Sequence, residues 1–194
     1  MARCVKFFVV FALALAAGCA SAPAHFYTLN ATAAPGAAQS RLSVAVGPVS
    51  VPAAVDRPQI VVSTSANQVS VDEFNRWASP LQDNIARVVA ENLVALLGTP
   101  RVTLFPQTVS TDLDYRVQLE VRSFESVQGK YALLNAVWTV RRIKDGKTET
   151  GRTSAQESVE DGSFDALAAA HSRALARLSK DIADAIQTLA RAPA

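Results

Sequence analysis

The most constraining feature of this 194-residue sequence is a strict alternation of apolar and polar side chains from Asp114 to Arg122. The apolar positions are Tyr115, Val117, Leu119 and Val121. Because successive side chains of a strand point to opposite faces, the pattern predicts a strand with one buried and one solvated face. Such one-sided burial is typical of antiparallel sheets, and the buried face needs a covering layer.

Further strand candidates lie on both sides of this segment. They are residues 41–49, 59–64, 68–74, 102–105, 131–143 and 148–159. Ser65-Ala66-Asn67 and Asp145-Gly146 have the composition of hairpin turns. Two helices interrupt and close this series of strands. The order predicts an α+β fold, in which an antiparallel or mixed sheet of about six to seven strands carries two main helices packed on one face.

The two helices are predicted from their start signals and apolar spacing. Ser79-Pro80-Leu81-Gln82 resembles a capping box, with Ser79 as the N-cap and Pro80 at the first helical position. Gly98 then marks the end of that helix. The second helix is expected to begin near Ser163 and to end at about Ala190, with an apolar stripe that includes His171.

The first 18 residues have the layout of a secretory signal. A positively charged start is followed by the uncharged run from Phe7 to Ala17, whose 11 residues are too short to span a bilayer comfortably. Leu13 to Cys19 is similar to a bacterial lipobox, which predicts cleavage between Gly18 and Cys19 and acylation of Cys19. Ordinary cleavage after Ala22 is the alternative. By resemblance to lipoproteins, Ala20 after the cysteine favours the periplasmic face of the outer membrane.

The signal divides the chain into three parts. Residues 1–18 are the predicted signal peptide, 19–40 an acylated N-terminus and flexible tether, and 41–194 a single α+β domain. The tether is small and polar apart from a short apolar patch at Phe26, Tyr27 and Leu29. About 20 flexible residues would span roughly 25 Å, enough for the domain to stand clear of the membrane.

Charge and composition argue against several classes of function. Loss of Arg3 and Lys6 with the signal reduces the 19 basic residues to 17, which balance the 17 acidic ones. A neutral chain has no basic excess with which to bind nucleic acid. Cys4 and Cys19 are the only cysteines, so the folded domain contains no thiol for a disulfide, for catalysis or for a zinc site.

The residues that catalysis could use are few. His25 lies in the predicted tether, and His171 lies on an apolar helix stripe where a core histidine is expected. The acidic pairs Asp112 with Asp114 and Glu160 with Asp161 lie at element edges, where solvated acids are common. We therefore expect no enzyme activity, no catalytic residue, no metal site and no cofactor.

The two tryptophans are the other notable side chains. Trp138 lies in an alternating strand and is expected to pack in the core. Trp77 precedes the first helix, where it could either pack on that helix or, together with Arg76, face a protein partner. Arg76 and Trp77 are the candidate partner-binding residues.

Several of these segments resemble one family. Asn75 to Leu81 (NRWASPL), the strand Pro58 to Val62 before it, Asp114 to Val121 and Gly129-Lys130-Tyr131 are similar to the PqiC- and YmbA-like ABC-type transport auxiliary lipoproteins. So is Tyr27-Thr28-Leu29. The resemblance implies an outer-membrane lipoprotein that works with a periplasmic MCE-domain (mammalian cell entry) tunnel protein and an inner-membrane ABC-type transporter in lipid transport. A scaffold lipoprotein and a lipid-binding shuttle remain alternatives, and self-association is left open.

Overall fold

The computed structural model describes residues 23–36, 39–106 and 112–193. The predicted signal peptide and the residues Gly18 and Cys19 lie outside the described residues. In the described part, the strands are β1 (His25–Tyr27), β2 (Val44–Ser50), β3 (Gln59–Ser65), β4 (Gln68–Trp77), β5 (Val102–Leu104), β6 (Tyr115–Val127), β7 (Tyr131–Arg142) and β8 (Thr148–Ser158). The helices are α1 (Leu81–Leu97) and α2 (Phe164–Arg191).

The eight described strands form two mixed sheets. The small sheet has the order β1-β4-β3, and the large sheet has the order β5-β2-β6-β7-β8. This confirms the α+β class, but the strands divide between two sheets where one of about six to seven strands was expected. The physical reason is that β2 pairs in parallel with both β5 and β6, which leaves the β3–β4 hairpin no free position beside it.

Both helices cover the large sheet. Helix α2 packs against β7 and β8, α1 packs against β2 and β5, and the helices contact each other. Leu93, Leu175, Leu178 and Ile182 are fully buried between these layers. Burial of large aliphatic side chains contributes roughly 1.5 to 3 kcal/mol each, so this layer supplies much of the stability.

The two helix starts differ from each other. Ser163 caps α2 as predicted, because its Oγ accepts a hydrogen bond from the Ala166 amide at 3.1 Å. The predicted capping box at α1 is wrong: Pro80 occupies the N-cap position and no side chain caps the helix. The proline therefore lies one residue earlier relative to the helix than the sequence pattern suggested, and Ser79 is an exposed residue outside the helix.

The large sheet accommodates Trp138 through a glycine on the neighbouring strand. Trp138 is buried as predicted, and its indole nitrogen donates a hydrogen bond to Thr153 Oγ1 at 3.1 Å. Gly151 lies directly opposite on β8. A Cβ atom at that position would come within 2.2 Å of the Trp138 Cζ2 atom. The glycine is therefore required by the close approach of the indole.

The segment before β2 is packed against the domain over most of its described length. Leu29 is fully buried, the Asn30 amide donates to Ser172 Oγ at 3.1 Å, and the Ala33 amide donates to Asn92 Oδ1 at 3.0 Å. The Gly36 amide continues these contacts with a 2.9 Å hydrogen bond to Ala95 O on α1. The expectation of a flexible tether throughout 19–40 is thus wrong from residue 25, since the apolar patch at residues 26–29 provides a strand and a core side chain.

Candidate membrane and partner surface

Trp77 lies at the inner side of the small sheet. Its side chain is 5% exposed and packs edge-on against Phe124 of β6, with ring centroids 6.1 Å apart. Its backbone amide donates to the Pro58 carbonyl at 2.7 Å. A residue buried in this way joins the two sheets, and its burial argues against the partner-facing role that the sequence left open for it.

An aromatic stack continues from Trp77 into the core. The Phe124 ring lies parallel to the His171 imidazole, with centroids 3.7 Å apart and an angle of 8° between the planes. The stack therefore links β4 of the small sheet, β6 of the large sheet and helix α2. The pairing register of β6 shifts between Val121 and Ser123. Because of this irregularity, Phe124 faces the core like Val121, although three residues separate their positions.

His171 is a core residue, as the sequence predicted. It is fully buried, and its Nε2 atom lies 2.8 Å from Ser126 Oγ. Burial lowers the pKa of His171 to about 3, so the imidazole is neutral at physiological pH. Although a serine and a histidine are in hydrogen-bond contact, Ser126 is only 3% exposed, so no substrate can reach the pair in this conformation.

One member of each acidic pair named in the sequence accepts a structural hydrogen bond. Asp114 Oδ2 accepts a hydrogen bond from the Ser43 amide at 2.8 Å, and this bond ties β6 to the start of β2. Asp161 accepts from the Ser163 amide at 2.7 Å, and hydrogen bonds from the side chain and backbone of Ser163 lower the pKa of Asp161. These contacts account for Asp114 and Asp161 without a catalytic role.

Arg76 lies on the opposite face of β4 from Trp77. Its Nε donates to the Glu73 carbonyl at 2.8 Å, and its guanidinium lies 3.9 Å from the Glu73 carboxylate. Arg76 pairs in register with Phe26 of β1. Because Tyr27 and Asn75 share a hydrogen bond on the inner face, their neighbours Phe26 and Arg76 lie on the outer one. Phe74 lies in the irregular part of β4, where the register with β3 shifts between Val71 and Arg76, and its ring is exposed there.

Sequence reasoning missed this outer surface. We call it the outer face of the small sheet and define it by Phe26, Val69, Phe74 and Arg76. Val69 belongs to it because Val62 points into the core, so the adjacent Ser63 lies on the opposite face, and Val69 is the register partner of Ser63. The exposed fractions are 64% for Phe26, 57% for Val69 and 47% for Phe74. The apolar patch around Phe26 was the available signal, but it was interpreted as part of a tether.

A cleft lies beside Trp77. It has a volume of ≈ 290 Å³ and is lined by Asp56, Arg57, Pro58, Trp77, Ala78, Ser79, Pro80 and Leu81. A second cleft of ≈ 560 Å³ is open and has Asn30, Thr32, Glu157, Ser172, Arg173 and Arg177 in its lining. Its charged walls do not suit acyl chains, and the aliphatic faces that a lipid shuttle would need pack against each other instead.

In residues 23–36, 39–106 and 112–193, no group of three His, Cys, Asp or Glu side chains could hold a metal ion. None of the helices in these ranges is long and apolar enough to cross a membrane.

Comparison with known proteins gives a consistent result. Residues 27–183 match the model of a family described as the ABC-type transport auxiliary lipoprotein component. No curated protein matches the chain significantly. A solved structure of an uncharacterized protein is 20% identical, covers 85% of this chain and 99% of its own, and superimposes with a TM-score of 0.70. A Xanthomonas campestris protein of family DUF330 is 19% identical, with a TM-score of 0.69 and coverages of 87% and 100%. Both likenesses bear on the fold.

Proposed function

Because the chain belongs to the ABC-type transport auxiliary lipoprotein family, we propose that it is the outer-membrane-anchored auxiliary component of a lipid transport system. In this role it is held by acylated Cys19 on the periplasmic face of the outer membrane. It assists an MCE-domain tunnel protein and the inner-membrane ABC-type transporter, and it catalyses no reaction itself. The family match over residues 27–183 is the observation that carries the proposal.

The structure offers physical support for an anchored, non-catalytic role. Strand β1 begins only six residues after Cys19, so a domain attached to an acylated Cys19 would be held close to the lipid surface. The Ser126–His171 pair is buried away from any substrate, and Asp114 and Asp161 accept backbone hydrogen bonds that hold the fold together. A rigid domain with a short attachment is suited to position one end of a lipid path.

The partner assignment can be tested by purification from membranes. We expect the tagged, acylated wild-type chain to co-purify with an MCE-domain protein. Deletion of either gene should produce the same sensitivity of the outer membrane to detergents. Leu93→Ala, a destabilised variant, serves as a control for losses of binding caused by unfolding.

The opposite result would favour a scaffold. If the acylated wild-type chain purifies without an MCE-domain protein, and if the two deletions differ in phenotype, the transport role is contradicted. Co-purification with other outer-membrane proteins would then support a structural lipoprotein.

A further inference from the structure

Exposed apolar side chains are concentrated on one face of the described chain. Of its six exposed large hydrophobic residues, three belong to the outer face of the small sheet: Phe26, Val69 and Phe74. Phe26 of β1 pairs in register with Arg76 of β4, and Phe74 lies two residues before Arg76. A cluster of exposed apolar side chains on a protein surface indicates a site of contact with a partner or a membrane.

The position of the anchor limits how far this face can be from the bilayer. Phe26 lies seven residues after Cys19. Since a chain extends by at most about 3.6 Å per residue, the Cα atom of Phe26 lies within about 25 Å of that of Cys19, whatever path the intervening residues take. Phe26 belongs to β1, which pairs with β4, so this upper limit also keeps the neighbouring part of the small sheet near the anchor.

We propose that the outer face of the small sheet lies against the lipid bilayer, with Phe26 and Phe74 inserted among the lipid headgroups. The proposal rests on the anchoring of Cys19 in the proposed function. Attachment at this short range gives the face a high effective concentration at the membrane, so that even weak insertion of two aromatic rings orients the domain.

The charges of the face indicate which lipids it would accept. Arg76 could bind a lipid phosphate, but Glu73 lies beside it and opposes attraction to an anionic surface. Insertion should therefore depend on the aromatic rings and only weakly on lipid charge or salt. Zwitterionic phospholipid is a sufficient partner under this hypothesis.

The test uses the full chain, exported and acylated. In the processed protein Cys4 is removed and Cys19 is acylated, so Phe74→Cys introduces a single free thiol for a polarity-sensitive fluorophore. Ile143→Cys is the matched control, since Ile143 is 41% exposed and lines a cleft with Ala190 near the end of α2. Tyr27 of β1 packs on Phe164 at the start of α2. About 39 Å of helix separate Phe164 from Ala190, so Ile143 lies at the opposite end of α2 from β1.

The labelled chains are reconstituted in phosphatidylcholine vesicles containing nitroxide-labelled headgroups. We expect the label at position 74 to shift to shorter emission wavelengths and to be quenched several-fold more than the label at position 143. Adding Phe26→Ser to Phe74→Cys should reduce this difference. The addition of phosphatidylglycerol or of about 0.5 M salt, roughly three times the physiological ionic strength, should change it little.

Three results would overturn the proposal. Equal quenching at positions 74 and 143 would show that the face is turned away from the bilayer. If the emission of the label at position 74 shifts only at a high density of labelled chains on the vesicles, the face contacts a second copy of the chain. Shielding that appears only after addition of the MCE-domain protein would assign it to that partner.

Mass spectrometry of the same samples separates this proposal from the proposed function. If the N-terminus carries acyl chains and the two labels behave alike, only the orientation is wrong. If it carries none, anchoring fails and the orientation fails with it.

Discussion

At the residue scale, Trp77 shows how strongly burial limits the role of a side chain. Tryptophan and arginine are common at interfaces, and the adjacent Arg76 and Trp77 suggested such a site. In the fold they point to opposite faces of β4, because consecutive strand residues alternate. Trp77 packs on Phe124 in the core, whereas Arg76 stays at the surface beside Glu73.

We therefore predict that Trp77→Ala destabilises the protein by about 3 to 5 kcal/mol, since it empties a packed position between the two sheets. Phe74→Ala, three residues earlier and on the exposed face, should change the free energy of unfolding by less than about 1 kcal/mol. Urea unfolding of both variants measures the difference. Similar stability losses in the two variants would contradict the assignment of Trp77 to the core.

His171 makes the stability of the protein depend on pH. Its pKa is lowered to about 3 in the fold, whereas an unfolded chain protonates histidine near pH 6.5. Between these values the unfolded state binds a proton that the native state does not, so the free energy of unfolding falls as the pH falls, by about 1.4 kcal/mol per pH unit.

We predict that the wild type loses about 2 kcal/mol of stability between pH 7 and pH 5, and that His171→Gln abolishes most of this loss. Asp145, whose pKa a hydrogen bond from Arg142 lowers to about 2, adds its own destabilisation only at lower pH. Urea unfolding midpoints at the two pH values measure the effect. A variant with the same pH dependence as the wild type would show that another group is responsible.

At the scale of the element, the helix starts differ in ways that their sequences do not reveal. Both contain a serine at a plausible cap position, but only Ser163 accepts a backbone hydrogen bond. At α1 the backbone leaves the small sheet at Trp77 and reaches the helix through Pro80, which takes the cap position itself.

Substitution of the two serines tests this difference. Ser163→Ala should cost about 0.5 to 2 kcal/mol, because it removes the hydrogen bond to Ala166. Ser79→Ala should stay within about 0.5 kcal/mol of the wild type. Thermal melts of the two variants measure the difference. A loss of stability in Ser79→Ala that equals or exceeds the loss in Ser163→Ala would support the predicted capping box at α1.

Strand pairing imposes a second local requirement, at Gly151. We predict that Gly151→Ala destabilises the large sheet by about 1 to 3 kcal/mol, because the added methyl group would collide with the Trp138 indole. Gly162→Ala is the control, since nothing lies within 4 Å of a Cβ atom there. Melting temperatures of the two variants that agree would indicate that the indole can move aside.

At the scale of the whole molecule, the packed N-terminal segment determines how close the domain lies to the membrane under the proposed anchoring at Cys19. Arg87 Nη2 donates to the Leu29 carbonyl at 2.6 Å, and Asn92 accepts from the Thr32 and Ala33 amides. These contacts hold the segment against the domain, so only a few residues of sequence separate Cys19 from the first strand at His25. The domain is therefore expected to lie at the lipid surface, where the sequence alone suggested that it stands clear.

Cys19→Ala tests the anchor. We predict an exported protein without acyl chains that leaves the membrane fraction, because a Cys19 carrying at least two acyl chains is needed for stable attachment. Fractionation and mass spectrometry of the mature N-terminus measure this. A wild-type N-terminus at Pro23 without acyl mass would instead support ordinary cleavage after Ala22.

Local patterns were sufficient for much of this protein. The alternation in β6, the hairpin turns at residues 65–67 and 145–146, the Ser163 cap and the core positions of Trp138 and His171 depend on near neighbours in the chain. Gly146, for example, adopts the φ of +74° that a tight turn demands and glycine tolerates. Short-range sterics and side-chain periodicity therefore made these features predictable.

Only the tertiary structure decided the remaining features, because they depend on contacts between distant segments. The division into two sheets follows from the parallel pairing of β2 with β6, about 70 residues away. The burial of Leu29 and Trp77 and the exposure of Phe26 and Phe74 follow from the pairing of β1 with β4, about 50 residues away. This pairing places neighbouring apolar residues of the sequence on opposite faces of the sheet. It also makes the segment that was predicted to be a tether an edge strand of the small sheet.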